Sequence, residues 1–371
     1  MIYYEGEEIL FSTACGVIVN DEYILWSSWQ DRSLYKLYLG DKHIEYVRSV
    51  SEIDFIGQRI ANMLKYKDKV YLISYGDGYE IIEYDLESDE LRQVYSKAQK
   101  EIYSVKAFLI DEKIYIFPFQ MDSSICVYSI RENKADYIKW ETLLPGIQFD
   151  LKNDGVISMC HMGDIIYGVV YNTPYIFEIK IKPQIECRVN RMNDGYKLAT
   201  IDIYDGIKYV TLAEKEILLC IKPNGKIEEL ELISKRGKKN GILYWFWGAI
   251  AHGNKVFLLP NDDNDDIQVV DTLTGESELL EFPDKFSRRN RYRLFWGYCL
   301  LGDKAYLLPL TANGLVVLDM CDCKMEYFSG WKFGIRDFLK VGFCEETAKE
   351  KITDTVGETI YNIVEREAER L

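Results

Sequence analysis

Two stretches of this chain are close to the same stretch written twice. Tyr244 to Pro260 reads YWFWGAIAHGNKVFLLP, and Arg293 to Pro309 reads RLFWGYCLLGDKAYLLP; the second begins 49 residues after the first and needs no gap. Phe246, Trp247, Gly248, Gly253, Lys255 and Pro260 recur as Phe295, Trp296, Gly297, Gly302, Lys304 and Pro309. A fixed period of roughly 20–50 residues marks a repeat architecture, in which neighbouring units bury each other's apolar faces. A weaker form of the pattern runs along most of the chain. It is an apolar run, a tight turn of Gly, Asp, Asn or Lys, and a second run like Lys-Val-Tyr-Leu-Ile. The aromatic of that second run falls at Tyr23, Tyr71, Tyr115, Tyr167, Tyr209, Phe257 and Tyr306, in steps of 48, 44, 52, 42, 48 and 49 residues.

Each anchor is followed by a third run, such as EIIEYDL from Glu80, DIQVVDT from Asp266 and GLVVLDM from Gly314. A short polar turn comes next, as in ESDE at Glu87, LTGE at Leu273 and CDCK at Cys321. A fourth run closes the unit, as in LRQVYS, SELLEF and MEYFSG. The runs are rich in Tyr, Phe, Val and Ile, which suit a pleated, half-buried surface. Four short strands joined by tight turns predict an up-and-down sheet. Seven such units predict an all-β fold, a seven-bladed β-propeller of four-stranded blades, with six blades and one broken unit as the alternative. The blades are expected over about 9–50, 56–96, 102–140, 154–190, 196–233, 244–283 and 293–330, within a propeller covering 1–342.

Two of the units carry a family resemblance. Asp68-Lys69-Val70-Tyr71-Leu72-Ile73 followed by Ile82-Glu83-Tyr84-Asp85-Leu86-Glu87-Ser88 resembles the second and third strands of a kelch-type repeat. Lys255–Leu259 with Val269-Val270-Asp271-Thr272-Leu273-Thr274-Gly275 is similar. Pro118, Pro260 or Pro309 stands where paired glycines usually end the second strand. The resemblance is to a degenerate kelch-like β-propeller of the bacterial kind, and it implies a ring of blades that serves as a protein-binding scaffold.

The first innermost strand is expected over Ile9 to Asn20. Met1 to Glu8 is expected to pair with the last blade and close the ring, because full closure removes exposed sheet edges. After Gly342 the pattern changes. Ala348, Ile352, Val356, Ile360, Ile363, Val364 and Ala368 recur at intervals of three and four, which predicts an amphipathic C-terminal α-helix within 343–371.

Lys plus Arg number 45 and Asp plus Glu number 60, for a net charge of −15. That balance excludes a general nucleic-acid binder, which needs a basic footprint. No apolar run reaches the roughly 18 residues of a membrane span. The start, MIYYEGEEILF, lacks the basic end and apolar core of a secretion signal. The nine cysteines are scattered, and they read as free thiols of a cytoplasmic protein. Cys321-x-Cys323 is the only close pair; with no second Cys or His cluster beside it in sequence, no metal site is expected.

In a propeller the loops that enter the innermost strands share one face with the loops joining second and third strands. Two entering loops are basic: Lys235-Arg236-Gly237-Lys238-Lys239, and Arg288-Arg289-Asn290-Arg291-Tyr292-Arg293. They run into Trp245 and Trp247 in one unit and Trp296 in the other. Arg offers bidentate recognition of carboxylate or phosphate, and Trp offers a stacking face. The candidate binding residues are therefore Arg236, Lys238, Lys239, Trp245, Trp247, Arg288, Arg289, Arg291, Arg293 and Trp296. Asp262, Asn264 and Asp266 have the alternate spacing of a calcium loop, but Ile267 stands where its glycine belongs. His43, His161 and His252 are dispersed, and no Gly-rich phosphate loop or nucleophile elbow occurs, so no cofactor is expected. The expected function is a non-enzymatic scaffold for a protein or peptide, with an acidic segment or an anionic glycan as the recognised group. The alternative is a carbohydrate- or nucleotide-sugar-processing enzyme, with paired carboxylates at the channel mouth.

Overall fold

The computed structural model describes residues 2–5, 8–11, 13–28, 32–53, 55, 57, 59–99, 102–144, 155–233, 246–260, 266–283, 286, 295–309, 314–328 and 332–333. They form seven antiparallel sheets of four consecutive strands each, over 13–49, 59–98, 104–139, 156–191, 198–231, 246–280 and 295–328. The six-bladed alternative is excluded. Each blade is one continuous stretch of chain. Its first strand is innermost: these are Thr13–Val19, Arg59–Tyr66, Ser104–Ile110, Val156–Met162, Leu198–Tyr204, Phe246–His252 and Phe295–Leu301. Neighbouring inner strands pack side by side around the axis, except those of blades 6 and 7, which stand further apart.

Local chemistry sets the blade. The inner hairpins turn in two residues, such as Asp111-Glu112 (φ 49° and 60°) and Asp205-Gly206 (φ 49° and 76°). Positive φ at both positions, as here, or at the first alone, as at Gly163, Gly253 and Gly302, matches the right-handed twist of the flanking strands. The turn between third and fourth strands is pinned by an aspartate. Asp85 Oδ1 accepts from the N–H of Glu87 and Ser88, both at 3.0 Å. Asp271 Oδ1 does the same for Leu273 and Thr274, at 2.8 and 3.1 Å. This Asx-turn chemistry explains why Asp recurs there. In the first blade the inner hairpin has one more turn residue: Val19 pairs with Tyr23, whereas Tyr66 pairs with Lys69. The equivalent of Tyr71 is therefore Leu25, and Tyr23 lies two residues early on the same face.

One irregularity occurs in every blade. Near the start of each inner strand a β-bulge shifts the register, between Thr13 and Cys15, Ile60 and Asn62, Ser104 and Lys106, Val156 and Ser158, and so on round the ring to Phe295 and Gly297. The repeated signature of blades 6 and 7 is this bulge. Phe246 pairs with Pro260, Trp247 is the extra residue, and Gly248 pairs with Leu259. Phe295, Trp296 and Gly297 repeat the arrangement against Pro309 and Leu308. Proline has no N–H to give to a ladder, so it is tolerated where the ladder is already interrupted.

The core is seven apolar clusters, one in each gap between adjacent blades. Between blades 6 and 7, Phe282, Phe286 and Phe295 stack with centroids 5.3 to 6.3 Å apart. Between blades 7 and 1, Tyr306, Leu308 and Val317 pack on Ile24, Trp26 and Tyr35. Full burial of each such side chain stabilises by about 1.5–3 kcal/mol relative to exposure. The ring closes differently from the sequence expectation. Ile2–Glu5 pairs with Glu8–Phe11 in a hairpin of its own. The closing strand comes from the other side: Lys332–Phe333 runs parallel to the outer strand of blade 1, beside His43 and Ile44. The first innermost strand accordingly begins at Thr13. The amphipathic segment 343–371 lies outside the described residues.

Candidate functional site

Most of the basic, aromatic residues singled out in the sequence lie outside the described residues: Arg236, Lys238, Lys239, Trp245, Arg288, Arg289, Arg291 and Arg293. The acidic positions Asp262 and Asn264 lie outside them as well. Trp247 is partly buried at its bulge and packs against the cluster between blades 6 and 7. Trp296 has the same backbone position one blade on.

The described residue that follows each bulge forms a collar around the axis. In five blades it carries a heteroatom: Cys15, Asn62, Lys106, Ser158 and Thr200. Some of these side chains satisfy the backbone of the next blade. The Cys15 thiol donates to the Ile60 carbonyl at 3.6 Å, and the Ile201 N–H donates to Ser158 Oγ at 3.0 Å. Inner strands are sheet edges, and such contacts occupy backbone groups that an edge leaves unpaired. Blades 6 and 7 have Gly248 and Gly297 at the collar. Neither glycine is forced by its surroundings. A Cβ on Gly248 would lie 3.6 Å from Leu259, and one on Gly297 would lie 3.8 Å from Leu308, both ordinary contacts. The same addition at Gly16 would press on Ile24 at 3.1 Å.

The collar residue Lys106 also belongs to a polar group contributed by four blades. Lys106 of blade 3, Cys160 of blade 4, Asp202 of blade 5 and Tyr298 of blade 7 keep part of their surface accessible, yet protein encloses them. Blade 7 does not adjoin blade 4 or 5, so the interaction of Tyr298 with Asp202 and Cys160 crosses the axis. Burial lowers the Lys106 ammonium pKa, and the Asp202 carboxylate opposes that shift. Burial raises Asp202 to about 6, against hydrogen bonds from the Ala251 and Ile203 N–H groups and the Lys106 charge. The Ala251 N–H donates at 2.7 Å. Burial also holds the thiols of Cys160 and Cys299 and the Tyr298 phenol in their neutral forms. A protonated thiol is a poor nucleophile, so the group suits ligand binding better than covalent catalysis.

Sequence spacing missed this group because its consecutive members are 42 to 96 residues apart and join only through the ring. The readable trace was a lone charge in an apolar run, Lys106 in SVKAFLI and Asp202 in ATIDIY. The fold also brings His252 and Asp303 beside Cys321, a proximity that sequence spacing did not show. His43 is on the outer strand of blade 1, and His161 and His252 lie at the turn end of their inner strands, away from the bulges.

No family model matches the sequence, and no curated protein matches it. Among solved structures the chain is similar to a streptogramin B lyase, with TM-score 0.58 and 9% identity over 82% of this chain and 93% of that one. It is similar to a catalytically inactive histidine-to-alanine form of virginiamycin B lyase from Staphylococcus aureus with quinupristin (TM-score 0.58, 10% identity, 81% of this chain and 94% of that one). It is also similar to Sqt1 from Saccharomyces cerevisiae (TM-score 0.57, 9% identity, 85% of each chain). At these identities the likeness concerns the fold: all share the propeller ring.

Proposed function

We propose that this chain is a non-enzymatic, kelch-like binding scaffold that holds a protein or peptide partner through an acidic segment. The docking surface is the end of blades 6 and 7 where the inner strands begin. The observation that carries this reading is the pair of collar glycines, Gly248 and Gly297. Two adjacent blades omit a side chain that their packing would accept, which leaves a recess on that side of the axis. The segments bearing Arg236, Lys238, Lys239, Arg288, Arg289, Arg291 and Arg293 attach to the same strand ends. Trp245 and Trp296 supply the aromatic part of the surface, and Trp247 anchors its base. The kelch-like subtype rests on the resemblance of 68–73, 82–88 and 269–275.

The enzymatic alternative has less support. Two of the neighbours in fold are lyases, and one is inactivated by loss of a histidine. His43 is on an outer strand and His252 at the turn end of its inner strand; His161 is the described histidine that senses the axial group, since burial and then the Lys106 charge lower its pKa. The axial group holds one carboxylate, Asp202, where sugar chemistry by acid and base needs two. The described cysteines are all free, which suits a reducing compartment such as the cytoplasm. No helix among the described residues is long and apolar enough to cross a membrane.

Affinity capture from the native host tests the reading, using the whole chain and two variants. Arg288→Glu with Arg289→Glu and Arg291→Glu is expected to lose the captured partner. Gly248→Val with Gly297→Val, which fills the recess, is expected to weaken capture while the far-ultraviolet spectrum stays unchanged. The same partners recovered by both variants would refute the surface. Recovery of an anionic glycan in place of a peptide would move the reading to carbohydrate recognition.

A further inference from the structure

The opposite end of blades 6 and 7 carries a second cluster with a different chemistry. Three elements contribute to it. His252 is the last residue of the inner strand of blade 6. Asp303 stands in the turn between first and second strands of blade 7, and Cys321 in the turn between its third and fourth strands. His252 Nε2 lies 3.2 Å from Asp303 Oδ1 and 3.9 Å from Cys321 Sγ. All three donor atoms lie within 4.8 Å of one another.

The 3.2 and 3.9 Å separations are close to those between ligand atoms in a metal's coordination shell. Zn–N and Zn–O bonds are about 2.0–2.2 Å and Zn–S about 2.3 Å, so tetrahedral ligand atoms sit about 3.3–3.8 Å apart. The positions are also held. Asp319 Oδ1 accepts from the N–H groups of Cys321 and Asp322, at 3.1 and 3.0 Å, which pins the cysteine turn. The His252 ring lies against Tyr204, with centroids 5.9 Å apart. Cys323 is engaged elsewhere: Lys255 Nζ donates to its sulfur at 2.9 Å and to the Cys321 carbonyl at 3.2 Å. Asp303, Asp319 and Asp322 give the turn cluster a negative field that favours a cation.

We propose that His252, Asp303 and Cys321 form a binding site for a divalent transition-metal ion, with Zn²⁺ the best match to its imidazole, carboxylate and thiolate donors. Three protein ligands leave a fourth position for water or an incoming donor. The site joins blade 6 to blade 7 at the end away from the proposed docking surface, so it stands or falls independently of that reading.

The test uses the whole chain, treated with chelator and then titrated with Zn²⁺ against a chromophoric competitor. One equivalent per chain is expected. Co²⁺ in its place is expected to give the visible bands of a tetrahedral ion and a near-ultraviolet thiolate-to-metal band. Loss of a direct ligand weakens binding by at least about tenfold, since even supporting residues are worth that much. Cys321→Ser and His252→Gln, both close in shape to the originals, are expected to do this and to abolish the thiolate band or shift the visible bands. Cys323→Ser is expected to leave both readouts unchanged. Absence of stoichiometric binding, or binding unaffected by Cys321→Ser and His252→Gln, would overturn the proposal.

Discussion

Asp202 is a carboxyl group that the fold makes harder to ionise. Burial lifts its pKa from 3.8 to about 6. Between those values the folded protein keeps a proton that the unfolded chain has released. Its contribution to stability therefore falls as pH rises through that window and is level above it. At 1.36 kcal/mol per unit the fall is at most about 3 kcal/mol. Asp202→Asn removes the ionisation and keeps an acceptor for the Ala251 N–H. The urea stability of the variant relative to the native chain is expected to improve between pH 4 and pH 7; parallel profiles would show that Asp202 does not titrate there. The sequence displayed Asp202 as a lone charge in a strand, but its partners come from other blades. Lys106 and Tyr298 could not be matched to it by any spacing rule.

The element best read from the sequence is the inner hairpin, and its meaning changed once it was folded. FWG and LLP are two sides of one bulge: Phe with Pro, Trp as the extra residue, Gly with Leu. The repeat was visible because every blade needs the bulge, while the collar residue beside it is free to vary from Lys106 to Gly297. Glycines within strands accordingly fall into two kinds. Gly168 pairs with Phe177, whose ring lies across it, and a Cβ there would collide with that ring. Gly168→Val is expected to cost about 1–3 kcal/mol by overpacking, read as a lower urea midpoint. Gly248→Ala meets only ordinary contacts and is expected to leave stability unchanged or raise it by up to about 1 kcal/mol, through the unfolded chain. Equal effects at both positions would remove the argument that the collar glycines are kept for the space they leave.

For the whole molecule, seven anchors were enough to give the ring, but the ring's closure was not legible. The chain start and the stretch near Phe333 are both short and apolar, and only pairing distinguishes them: Ile2–Glu5 pairs with its own neighbour, and Lys332–Phe333 pairs with blade 1. A chain ending at Phe328 lacks the closing strand and exposes the outer edge of blade 1, a template for pairing with another copy. Compared with a chain ending at Phe333, it is expected to melt at a lower temperature and to elute partly as larger species; identical behaviour would mean the parallel pairing contributes nothing. Six of the seven gaps between blades join stretches that are consecutive in the chain, and the gap between blades 7 and 1 does not. During synthesis those six can be sealed in the order the ribosome delivers them. The side of blade 1 bearing Ile24, Trp26 and Tyr35 has to wait for Tyr306 and Val317. At roughly 5–20 residues per second that wait is about 15–60 s. Through most of elongation the nascent chain is an open arc with one apolar flank in water, and that flank is where a chaperone has most to do.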